Sequence, residues 1–114
     1  MDIIKQIYNK EYYNNKKILI TGGTGTLGNI LIDFFLNETT VTKVCIFSRD
    51  EFKQHNMKLK YKNYKNYENL RFYIGDIRDA ERIKYACKDI DIVFHTAALK
   101  QVDAIEYNPM EAIK

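Results

Sequence analysis

Residues Lys16 to Gly28 read Lys-Lys-Ile-Leu-Ile-Thr-Gly-Gly-Thr-Gly-Thr-Leu-Gly. Ile18, Leu19 and Ile20, an apolar run between a pair of lysines and a cluster of glycines, predict a short strand buried on both faces, as in a parallel sheet. Beyond it Leu27, Ile30, Leu31, Phe34 and Phe35 recur at helical spacing, so Gly25 to Asn37 is expected to be an amphipathic helix packed on that strand. The segment between them fits G-x-G-x-x-G from Gly23 and G-x-x-G-x-x-G from Gly22. Such a pattern alone is weak. Here a strand precedes it and a helix opens on it, and that context turns it into a dinucleotide-binding fingerprint. Glycines allow the tight turn and the close approach of backbone, and the helix start offers free N–H groups to a pyrophosphate.

The same alternation continues outward. Lys43 to Ser48 predicts a second strand, followed by a polar helix with Asp50 and Glu51 in its first turn, where acidic groups oppose the helix dipole favourably. Arg71 to Ile74 predicts a third strand. Asp79 then caps a helix whose Ile83, Ala86 and Cys87 face inward, and Ile90 to His95 predicts a fourth strand. Strands alternating with helices imply right-handed crossovers, hence an α/β fold with a parallel sheet covered by helices on both faces; the dinucleotide fingerprint makes it Rossmann-type, for which the strand order is 3-2-1-4. Residues 1–15 form a lead-in arm or a short helix with Ile3, Ile4, Ile7 and Tyr8 on one face. Residues 16–114 form the binding domain.

Composition narrows the class. At 114 residues the chain holds one domain or part of one, and 46% hydrophobic with 29% charged residues is that of a soluble globular protein. No long apolar run or leader is present, which argues against a membrane or secreted setting and for the cytoplasm. Cys45 and Cys87 lie in apolar stretches and predict packed thiols, not a disulfide framework. No ligand spacing joins them to His55 or His95, so no metal site is expected.

Ser48 and Arg49 close the second strand, where NAD sites usually carry an acidic residue for the ribose hydroxyls. A hydroxyl and a guanidinium there, with Lys53 one turn on, remove repulsion against a 2′-phosphate and supply donors, so NADP is favoured over NAD. The opposing reading leaves Arg49 solvated, with Asp50 reaching a ribose. Asp76 after the third strand would hold an adenine amino group, or merely form a turn. Thr96 and Ala97 are small enough for close passage of a cofactor ribose. His95 is expected to be packed and hydrogen-bonded, not catalytic.

Thr21 to Gly28 resembles the glycine fingerprint of the extended short-chain dehydrogenase/reductase superfamily. Ser48-Arg49-Asp50-Glu51 with Lys53, Gly75 to Asp79, Ala97 to Val102 and Glu106 to Pro109 resemble one branch of it, the inverting UDP-N-acetylglucosamine 4,6-dehydratases (5-epimerising) of polysaccharide biosynthesis. The resemblance implies that Thr24, Gly25, Thr26 and Leu27 line the NADP pyrophosphate, with Gly22 and Gly28 also in the cofactor site, and that Ser48, Arg49 and Lys53 meet the 2′-phosphate. It further implies that Asp76 and Ile77 contact adenine, and that Thr96 and Ala97 border the ribose. Lys100 would sit between the nicotinamide ribose and the nucleotide-sugar. Where the branch usually has alanine, this chain has Thr96.

The resemblance also implies oxidation of the sugar at C4, loss of water across C5 and C6, and return of the hydride to C6, in a homo-oligomer. The catalytic Tyr-x-x-x-Lys pair of the family follows a fifth strand, beyond Lys114, so no catalytic residue is expected in this chain. Tyr13 to Lys17 and Tyr61 to Lys65 match the pattern only by spacing. Asn108-Pro109-Met110-Glu111 starts a helix that six residues cannot complete, so the chain is expected to be cut inside an element, with an exposed sheet edge that favours instability or association. The alternative function is a non-catalytic dinucleotide-binding module or a truncated gene product. Lys58, Lys60, Lys62 and Lys65 interleaved with Tyr61, Tyr64 and Tyr67 raise a nucleic-acid reading. A solvated helix end is preferred, because Glu51 and Glu68 offset the charge.

Overall fold

The computed structural model describes residues 9–96. A 3-10 turn, Lys10–Tyr13, leads into β1 (Lys17–Thr21), α1 (Thr26–Glu38), β2 (Lys43–Ser48) and α2 (Glu51–Tyr61). A second 3-10 turn, Tyr67–Asn69, precedes β3 (Leu70–Ile74), and α3 (Ala80–Ala86) and β4 (Ile92–His95) complete the order. Every adjacent pair of strands is parallel and the sheet runs β3-β2-β1-β4. This is the α/β, Rossmann-type arrangement read from the sequence.

The two central strands explain the long apolar runs. Side chains alternate across a strand, so Ile18, Ile20, Val44 and Ile46 pack under α1 and α2 against Leu31, Ile32, Phe35, Met57 and Tyr61. Leu19, Cys45 and Phe47 point the other way, toward Ala86 and Ile83 of α3. The helices after β2 and β3 start on aspartate caps. Asp50 accepts from the Lys53 N–H at 2.9 Å and Asp79 from the Arg82 N–H at 3.1 Å.

Three expectations change. Ile30 was placed on the inward face of α1 but is 45% exposed: the face that meets the sheet is centred on Gly28, Leu31, Ile32 and Phe35, and Ile30 falls behind it at 100° per residue. The fourth strand begins at Ile92, not Ile90. Asp89 takes a positive φ of 63° and the Ile90 N–H closes a turn on Cys87 O. The Asp91 carboxylate then accepts from the Lys17 N–H at 2.9 Å while the Asp91 N–H donates to Lys17 O at 2.9 Å, and the strand register runs from Ile18 opposite Ile92. Finally, the described end of the arm is a single 3-10 turn, and it belongs to the core: Tyr13 is 1% exposed and packs edge-on against Phe34 and Phe35 and beside Phe94. Ile3, Ile4, Ile7 and Tyr8 lie outside the described residues.

The tyrosines of the lysine-tyrosine segment pack against the core. The Tyr61 ring is buried, its hydroxyl donating to Asn29 Oδ1 at 2.7 Å, and Tyr64 packs edge-on against it. Tyr67 is packed against the same cluster. Tyr61 is a core residue, and Tyr64 and Tyr67 are half-buried rings packed against the core.

Candidate functional site

The glycine loop is shaped by close approaches. Gly22 takes a φ of +66°, a conformation most side chains avoid, while its N–H donates to Phe47 O at 2.8 Å and ties the loop to the end of β2. Behind it the buried Thr96 hydroxyl lies 2.9 Å from both Thr21 O and Gly22 O, bridging the ends of β1 and β4. At Gly28 a Cβ would lie 1.9 Å from Gly23 O, so α1 can sit this close to the loop only without a side chain there. Gly25 caps α1 with no side-chain bond, and the first turn carries no acidic residue. The leading N–H groups of a 13-residue helix are thereby left for an external acceptor.

Beside the loop, a cavity of about 650 Å³ opens at the carboxyl ends of all four strands. In an open parallel sheet this is the crevice where ligands bind, at the point where strand order reverses. Of the residues singled out from the sequence, Gly22, Ser48, Arg49, Asp76, Ile77 and His95 line it. Thr24, Gly25, Thr26, Leu27 and Gly28 occupy the loop and the first turn of α1 next to it, and Lys53 the first turn of α2. Thr96 is buried behind Gly22. Ala97 and Lys100 lie outside the described residues.

Ser48 is drawn inward. Its Oγ accepts from Gln54 Nε2 at 2.9 Å, and the same amide donates to Tyr73 O at 2.8 Å, so one buried glutamine clamps β2, β3 and α2 together. Sequence reading missed Gln54, although its place three residues before Met57 and seven before Tyr61 put it on the inner face of α2. Arg49 is turned outward, with Nη1 3.5 Å from Asp76 Oδ2. The Asp50 carboxylate is engaged as the cap of α2, which leaves Arg49 as the group beside the cavity.

Arg78 was also missed as a site residue. It lines the cavity and grips Asp76 with Nη2 at 2.6 Å and Nε at 3.1 Å from both carboxylate oxygens, while its N–H donates to Oδ1 at 2.9 Å. The side-chain and backbone bonds from Arg78 hold the Asp76 carboxyl well below the usual carboxylate range. The turn role weighed for Asp76 is therefore present, together with a fixed, ionised carboxylate at the cavity wall. The signal available was a guanidinium two residues after an aspartate at a strand end.

His95 Nδ1 lies 2.7 Å from Thr21 Oγ1, the packed arrangement expected. Burial lowers the His95 pKa below 6.5. The unfolded state then binds more protons than the folded state in the window just below 6.5, so stability is full above it and falls as pH drops through it. Thermal melts between pH 7 and about 5, above most carboxylate titration, are expected to show this slope in the wild type and a flatter one in His95→Gln. Equal slopes would show that another group carries the dependence.

Burial also pushes the Cys45 and Cys87 thiols up, which favours the inert protonated form. Among the described residues, no group of three or more His, Cys, Asp or Glu is placed to hold a metal ion, and no helix is long and apolar enough to cross a membrane.

Residues 18–114 match the family model described as "Polysaccharide biosynthesis protein". The chain belongs to that family. It is 46% identical over 102 residues to the UDP-N-acetylglucosamine 4,6-dehydratase (inverting) of Campylobacter jejuni subsp. jejuni serotype O:23/36 (strain 81-176), covering 90% of this chain and 29% of that protein. It is 48% identical over 102 residues to a UDP-glucose 4-epimerase of Rickettsia bellii (strain OSU 85-389), covering 87% and 29%. Among solved structures, Pen from Bacillus thuringiensis matches with a TM-score of 0.68 and 41% identity over 88% of this chain and 30% of that one. The chain thus spans about three tenths of the length of the curated relatives it matches. Relatives of nearly equal identity carry a dehydratase and an epimerase name, so similarity over this segment does not separate those reactions.

Proposed function

We propose that this polysaccharide biosynthesis family member is the NADP-binding part of an enzyme acting on nucleotide-sugars, specifically a C5-inverting UDP-N-acetylglucosamine 4,6-dehydratase. The observation that carries this reading is a single juxtaposition. Gly22 and Arg49 line one cavity at the strand ends, and the loop that starts at Gly22 runs on to an uncapped helix start and to a Gly28 that admits no Cβ. A dinucleotide needs these three things: donors for its pyrophosphate, room for close approach and, for NADP, a cation at the 2′-phosphate.

In this reading the backbone of Thr24, Gly25, Thr26 and Leu27 receives the pyrophosphate, with Gly22 and Gly28 giving it room. Arg49 and Lys53 neutralise the 2′-phosphate, and Ser48, held inward by Gln54, contributes backbone and shape more than a free hydroxyl. Asp76 and Ile77 border adenine, Thr96 and Ala97 the ribose, and Lys100 the nicotinamide side and the sugar. Bound NADP would supply a hydride acceptor. The residues of this chain bind and orient it, and none of them is assigned to move protons on the sugar. Residues 16–114 form the binding domain with 1–15 as its arm, in a cytoplasmic homo-oligomer. A 4-epimerase is a second reading, favoured by the 48% identity to the Rickettsia protein, and a binding module without turnover is a third.

Fluorescence titration tests the first step. NADPH is expected to bind the 114-residue chain at least about tenfold more tightly than NADH, the discrimination of one charge-assisted contact. UDP-N-acetylglucosamine incubated with this chain and NADP should stay unchanged. Absence of binding to either dinucleotide would overturn the cofactor reading. Formation of a 4-keto-6-deoxy sugar by these residues alone would overturn the placement of the catalytic groups, and in the whole protein that product separates dehydratase from epimerase and from an inert module.

A further inference from the structure

We infer that Arg78 is a positioning residue for base recognition: it fixes the Asp76 carboxylate at the cavity wall so that one acceptor position faces an exocyclic amino group of a purine. The inference rests on the dinucleotide reading above and adds a residue that neither the glycine fingerprint nor the phosphate-contact pattern contains.

A carboxylate on a short side chain at a loop end ordinarily samples several rotamers. Here three donors of one residue hold it: the Arg78 N–H on Oδ1, Nε shared by both oxygens and Nη2 on Oδ2 at 2.6 Å. The turn beneath is closed separately by the Asp79 N–H on Asp76 O at 2.9 Å, so the backbone keeps its shape without the guanidinium. The remaining contact on the carboxylate is the long one, Arg49 Nη1 at 3.5 Å. A carboxylate offers about four acceptor positions. An incoming amino group therefore takes the position that Arg49 holds weakly, and Arg49 is freed for a phosphate. Both arginines are exposed at the rim, with side chains 71% and 78% accessible, so neither is needed to hold up the core.

The test uses base discrimination, which a purely structural role would not move. The wild-type protein is titrated with NADPH and with its hypoxanthine analogue, which has an oxygen in place of the 6-amino group. The expected result is about tenfold weaker binding of the analogue, because a carboxylate left facing an oxygen loses its donor. Arg78→Gln and Arg78→Lys, both unable to fork, should bring that ratio below about threefold while the NADPH to NADH ratio stays within about twofold of wild type. Circular dichroism shows whether each variant is folded. Full base discrimination retained by Arg78→Gln would overturn the inference, as would retention by Arg78→Lys alone, which would make charge and not the fork the cause. Wild-type binding of both bases equally would overturn it too while leaving the cofactor reading intact. Failure of the wild type to bind any dinucleotide would bring down both.

Discussion

Gly28→Ala is expected to destabilise the protein by about 3 kcal/mol or more, at the upper end of overpacking costs, and to abolish measurable NADPH binding. In an ordinary exposed helix position the same change stabilises by about 1 kcal/mol, because alanine is the better helix former. The sign reverses here because the new Cβ would stand 1.9 Å from Gly23 O and 2.4 Å from Gly23 C. Those are backbone atoms with no rotamer to change, so α1 or the loop has to move as a unit. For a domain of this size the loss corresponds to a fall in Tm of roughly 15 °C. Gly23→Ala provides the comparison. Its Cβ would meet the Ile20 and Ile46 methyls at 3.0 and 3.1 Å, together with Ile20 O at 3.2 Å, contacts that call for shifts of a few tenths of an ångström and not of a whole helix. The smaller loss belongs to Gly23→Ala, measured in the same thermal melts. A Gly28→Ala protein that melts within a few degrees of wild type and still binds NADPH would mean that α1 does not seat on the loop as described.

Arg49→Glu is expected to lower NADPH affinity by about 100-fold or more while changing NADH affinity by no more than a few-fold. One charge-assisted hydrogen bond is worth about 1.5–3 kcal/mol, or roughly 10- to 100-fold in binding, and reversing the charge adds repulsion to that loss. Because Arg49 lies at the cavity rim with only a 3.5 Å contact to Asp76, the substitution leaves the core untouched. Parallel titrations with the two dinucleotides read the effect. An unchanged ratio would return Arg49 to the role of a solvated surface cation. This substitution and Arg78→Gln are expected to act on different parts of the ligand, the phosphate and the base.

The site was legible in the sequence wherever chemistry depends on backbone freedom or on a residue type at a strand end. The glycines of the loop, Arg49 after β2 and Asp76 after β3 were found that way, and the structure brings Gly22, Arg49 and Asp76 to one cavity. What sequence reading missed was side-chain partnership across elements. Gln54 looked like a polar residue on a polar helix. Its role appears only when β2 and β3 lie side by side and present Ser48 Oγ and Tyr73 O to one amide. Ser48 carries the converse lesson, since a hydroxyl counted as a ligand for phosphate is already drawn toward the interior.

By itself the sequence determined the alternation of strands and helices, the parallel α/β class, the order 3-2-1-4 and the place of the glycine loop. The alternation and the parallel class follow from local periodicity and from the handedness of crossovers, which act along the chain, and the strand order from the dinucleotide-binding fold that the glycine fingerprint implies. Only the tertiary structure decided which groups face each other across the strand ends. Tyr13 joins the core because Phe34, Phe35 and Phe94 converge on it from α1 and β4. Ile30 is left at the surface because the sheet meets a different face of α1. Arg49 and Arg78 share Asp76 because β2 and β3 end at the same height, with Ser48 paired to Ile74. Such contacts depend on distances between residues far apart in sequence, and no local pattern encodes them.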